Sequence, residues 1–175
     1  MTAPELSRPV RLDTLGEGPS ALHVEAEEAE RAALARRFGL IAIERLAADV
    51  ELTRKDGEVA LAGMLSAAVV QACVASGEPV PAALQCAFSV EFRPEPGADG
   101  GDDEVELGED EMDVIFYEGG AIDVGEAVAE TLSLNLDPYP RAPGAEQALR
   151  AAGVKNEEEA GAFGALAALR DKLKP

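Results

Sequence analysis

The chain has no tryptophan, and aromatics make up only 4% of its 175 residues. Aliphatic side chains must therefore fill its core, and a hydrophobic share of 47% is ordinary for a globular domain. Histidine is nearly absent as well. A Ser–His–Asp or Cys–His centre would have to be built on His23, between Leu22 and Val24, and no neighbouring residue supports one. Structural zinc takes about four thiolate or imidazole ligands, whereas Cys73, Cys86 and His23 are the whole supply and lack close spacing. Neither a metal nor a cofactor is expected, and no phosphate-cradling glycine motif occurs. Two cysteines do not make a disulfide framework, so both are expected as reduced thiols. A two-residue turn at Ser76–Gly77 would set Cys73 opposite about Ala82. A longer loop centred on Pro79–Val80 would set it opposite Cys86. No apolar run reaches membrane-spanning length, and the first residues lack an apolar signal core, so the expected location is the cytoplasm.

Positive charge is the other scarcity. Thirty-four acids face 15 Lys and Arg, for a net charge of −19. That predicts high solubility and argues against bare nucleic acid as the direct partner, because phosphate binding normally needs a basic face. The bases are segregated: all but Arg93 lie in 8–55 or 141–174. A local patch of Arg8, Arg11, Arg36, Arg37, Arg45, Arg54 and Lys55 is compatible with this distribution. No aromatics interleave with it, so base stacking is not indicated.

Hydrophobic periodicity predicts α+β architecture: an antiparallel meander covered by two to three helices. A short strand is expected at 8–15. A helix at 25–38 has acids at its start, Arg36 and Arg37 at its end and Gly39 beyond. Leu46, Ala48, Val50 and Leu52 alternate with polar partners as one long strand. Ile41 and Ile43 have the opposite parity, which predicts a bulge near Glu44–Arg45. Asp56-Gly57 is a hairpin turn. A second strand runs from about Val59 to Val74, with Ala67–Val74 apolar on both parities and hence expected to be buried on both faces. A third, Ala83–Arg93, points Leu84, Cys86, Phe88, Val90 and Phe92 inward. Residues 94–111 carry nine acids and no base and read as a flexible acidic loop. A short strand follows at 112–117, extending the meander as 8–15 does. A helix then starts at Asp123, with Glu126 in capping-box position, and stops before Pro138. One turn is expected at 145–151 and a last helix at 158–173, with Phe163, Leu166, Leu169 and Leu173 on one face. Residues 1–155 are read as one domain and 156–175 as a helical tail.

Two segments carry a resemblance. Cys73-Val-Ala-Ser-Gly-Glu-Pro-Val80 lies between two strands. Gly120-Ala-Ile-Asp-Val-Gly-Glu-Ala-Val-Ala-Glu-Thr-Leu-Ser-Leu-Asn-Leu-Asp-Pro-Tyr-Pro140 follows the acidic loop. Together they resemble the YceD family of large ribosomal RNA subunit accumulation proteins, over roughly residues 10–150. The tail from Phe163 to Lys174 is similar to that family's usual C-terminus. The resemblance implies no enzyme but an accessory factor in large ribosomal subunit biogenesis, acting in synthesis, processing or stability of the large-subunit RNA. Its implied partner is a ribosomal protein or an assembly intermediate, with ribosomal RNA secondary and no membrane. A general protein-interaction or chaperone-like module is the alternative. Many members carry Cys-x-x-Cys where this chain has Cys73 and Ser76. The binding residues the resemblance implies are Cys73, Glu78, Pro79, Asp123, Glu126, Glu130, Asp137, Pro138, Tyr139 and Pro140.

Overall fold

A computed structural model describes residues 4–16, 18–95 and 113–154. Strands β2 (Ser20–Glu25), β3 (Ala42–Lys55), β4 (Glu58–Ala72), β5 (Pro79–Pro94) and β6 (Asp113–Tyr117) form a five-stranded sheet in the order β2-β3-β4-β5-β6. β2 and β4 pair antiparallel with β3, and β6 pairs parallel with β5. β1 (Pro9–Arg11) and β7 (Ala121–Asp123) make a separate antiparallel ribbon. The helices are α1 (Glu28–Phe38), α2 (Val124–Leu134) and α3 (Ala145–Ala151). The fold is α+β.

Local rules account for most of these boundaries. Asp56 and Gly57 both have positive φ, as the type I′ hairpin between β3 and β4 requires. The β3–β4 register shifts between Ile43 and Arg45, the bulge that the parity change demands. Glu27 and Glu30 form a complete capping box at the start of α1, and Gly39 caps its end. In β4, Val59, Leu61, Leu65, Ala67 and Val69 are buried. They join Leu46, Val50 and Leu52 of β3, Leu34 of α1 and Val124, Val128 and Leu132 of α2 in one core. Burial of each of the Val and Leu side chains among these contributes about 1.5–3 kcal/mol.

Three expectations need correction. The strand at 8–15 does not extend the meander. It is shortened to β1, turns through a single 3-10 turn at Leu12–Thr14 and pairs with β7. The edge position beside β3 belongs to β2, whose two inward apolar residues, Leu22 and Val24, are too few for a periodic signal. Ala67–Val74 is not buried on both faces. Ala67, Val69 and Gln71 are buried, while Ala68 and Val70 are only half covered, so β4 keeps a one-sided alternation to its end. On β5, Val90 and Phe92 are buried, but Leu84, Cys86 and Phe88 only partly so. The acidic residues 99–111 and the helix at 158–173 lie outside the described residues.

The chain divides into two compact units. The first comprises the described residues of Met1–Gln71 and Pro81–Asp137, the second those of Ala72–Val80 and Pro138–Pro175. The main core belongs to the first unit.

Candidate functional site at the Cys73 loop

The second unit is built where β4 has run out of its ladder. The Cys73 amide donates to the Glu78 carbonyl (2.8 Å), and the Gly77 amide donates back to the Cys73 carbonyl (2.8 Å). Gly77 at positive φ closes this loop. The Val74 amide donates to the Pro140 carbonyl (2.9 Å), which ties the loop to the Pro138-Tyr139-Pro140 corner. Proline at 138 and 140 fixes φ on both sides of Tyr139 and stiffens the corner. Cys73, Ala142 and Ala145 form a small buried cluster, with Ala75 and Val80 against it.

This arrangement acts on the Cys73 thiol. The Ala142 amide, and after it Ser76, favour the thiolate over the thiol and bring the Cys73 pKa down to about 7. The thiol is only 3% exposed, so the shift favours an anion held by donors rather than a nucleophile open to solvent. Ser76 Oγ also lies 3.1 Å from a carboxylate oxygen of Glu78. Two residues of this unit are largely exposed: Tyr139 at 73% and Val74 at 54%. Two acids, Glu78 and Glu146, and two bases, Arg141 and Arg150, are the charges among the described residues of this unit, so it departs from the acidic character of the chain.

A linkage prediction follows. An unfolded thiol ionises near 8.5. With the folded value near 7, the folded state binds fewer protons between about pH 7 and 8.5, so stability should rise with pH across that window and level off above it. The contribution should be lost as pH falls through about 7. Urea titrations at pH 6 and pH 9 on the wild type and Cys73→Ala should show this pH-dependent difference in the wild type alone. A Cys73→Ala variant with an identical pH dependence would contradict the donor arrangement.

The remaining implied residues lie in the first unit. Asp123 is the N-cap of α2: its Oδ1 accepts from the amides of Gly125 (2.9 Å), Glu126 (3.3 Å) and Arg8 (2.8 Å), and its Oδ2 from the Ser7 hydroxyl (2.6 Å). Glu126 holds Arg37 in a two-point ion pair at 2.6 and 3.1 Å, and Arg37 also reaches Glu5 at 3.0 Å. Burial, and then the charge of Glu126, push the Glu130 carboxyl above the usual range. The Asp137 carbonyl accepts from the buried Gln71 amide at 2.8 Å. Cys73, Glu78, Pro79 and Pro138–Pro140 are thus brought into one unit. Asp123, Glu126, Glu130 and Asp137 serve the start, exposed stripe and exit of α2. The Ala142 amide, which matters most to Cys73, has no sequence signal, because a backbone donor carries no residue type.

Much of the basic patch is engaged within the chain. Arg8 grips Glu30 through both terminal nitrogens (2.7 and 2.9 Å), Arg11 pairs with Asp13, and Arg54 donates to the Leu12 carbonyl. His23 stands exposed beside Asp49, with Nδ1 2.7 Å from its carboxylate. Among the described residues, no group of three or more His, Cys, Asp and Glu is arranged to hold a metal, and no helix is long and apolar enough to cross a membrane.

Residues 61–170, more than half of the chain, match the family described as large ribosomal RNA subunit accumulation protein YceD. No curated protein and no solved structure matches.

Proposed function

Since the chain belongs to the large ribosomal RNA subunit accumulation protein YceD family, we propose that it is a non-enzymatic accessory factor of large ribosomal subunit biogenesis that works by binding a ribosomal protein or assembly intermediate. The observation that carries the reading is the exposure of Tyr139 and Val74, with Tyr139 set on a stiff Pro-Tyr-Pro corner that the Pro140 carbonyl ties to the Cys73 loop. An exposed aromatic held by backbone constraint loses little entropy on binding, which suits a protein contact. Ribosomal RNA is a secondary contact. The net charge of −19 repels the polymer, and Arg8, Arg11, Arg37 and Arg54 already have partners in the chain. Pro138 and Pro140 shape the corner, Glu78 and Pro79 shape the Cys73 loop, and Cys73 is buried with Ala142 and Ala145.

Depletion of the protein should lower large-subunit ribosomal RNA relative to small-subunit RNA, and re-expression of the wild type should restore it. A Tyr139→Ala, Val74→Ser double variant that stays folded by circular dichroism should fail to restore the ratio. A normal RNA ratio on depletion would reject the ribosomal reading. Full rescue by the double variant would reject this surface as the contact. Recovery of the partner from lysate that is lost on nuclease treatment would make RNA the primary ligand.

A further inference from the structure

We draw no further inference here: the strongest candidate, the small pocket of the second unit lined by Arg141 and by Glu146, Leu149 and Arg150 of α3, has Val154, where the described chain ends, on its rim, and nothing in the structure shows what covers it.

Discussion

Replacing Gly125 with alanine should destabilise the protein by about 3 kcal/mol, although alanine is the better helix former by about 1 kcal/mol. Gly125 sits in the first turn of α2, where that turn crosses the chain at Leu6–Arg8. A methyl group on it would stand 2.6 Å from the Leu6 carbonyl oxygen, 2.9 Å from the Arg8 nitrogen and 3.0 Å from the Leu6 carbonyl carbon. All three are backbone atoms, so no side chain can rotate away. The crossing segment is also held: Val124 donates to the Arg8 carbonyl (3.2 Å), and Asp123 takes the Arg8 amide. Relief would require lifting residues 6–8 off the helix and uncovering Leu6, which is fully buried. Urea denaturation checks this through the midpoint at constant slope. A variant as stable as the wild type would mean that the Leu6–Arg8 segment shifts without cost.

The parts of this molecule governed by short-range rules were legible in its sequence. Asp56-Gly57 specifies its turn, the Ile43-to-Leu46 parity change specifies the bulge, and Asp123 and Pro138 bracket α2 because capping and ring sterics act within a few residues. What was not legible depends on distant partners. β2 shows only Leu22 and Val24 as inward apolar residues and is a strand because six consecutive positions pair with β3. β1 finds β7, more than a hundred residues on, in a ribbon three residues long. Ala67–Val74 carries apolar residues on both parities. Alanine and valine tolerate partial exposure, and so the pattern alone did not reveal that one face stays half covered. The candidate site was legible in the same measure. The resemblance singled out the residues of the Cys73 loop and the Pro-Tyr-Pro corner. The Ala142 amide that holds the thiol, and the separation of Cys73 and Tyr139 from Asp123 and Glu126 into different compact units, are products of the tertiary fold.

That separation bears on how Asp123 should behave. Asp123→Ala should cost about 3 kcal/mol: an N-cap contributes about 1 kcal/mol, and a buried-side hydrogen bond to a charged acceptor about 1.5–3 kcal/mol, without full additivity. One carboxylate satisfies two amides at the start of α2, a third from the chain at Arg8 and the Ser7 hydroxyl. Alanine would leave all four donors to find water or go without, next to a crossing that Gly125 already makes tight. Asp123→Asn should be far milder, at about 1 kcal/mol, because its amide oxygen can replace Oδ1 for the three N–H donors while the Ser7 hydroxyl turns to accept from the new NH2. The same pair of variants separates two roles that the resemblance leaves merged. If Asp123 is a cap, large-subunit RNA should follow stability: near normal with asparagine and reduced with alanine, and recovered for alanine at lower growth temperature. If Asp123 instead contacts the partner through its charge, asparagine should fail in the cell while melting close to the wild type. The engagement of both carboxylate oxygens within the fold predicts the first outcome.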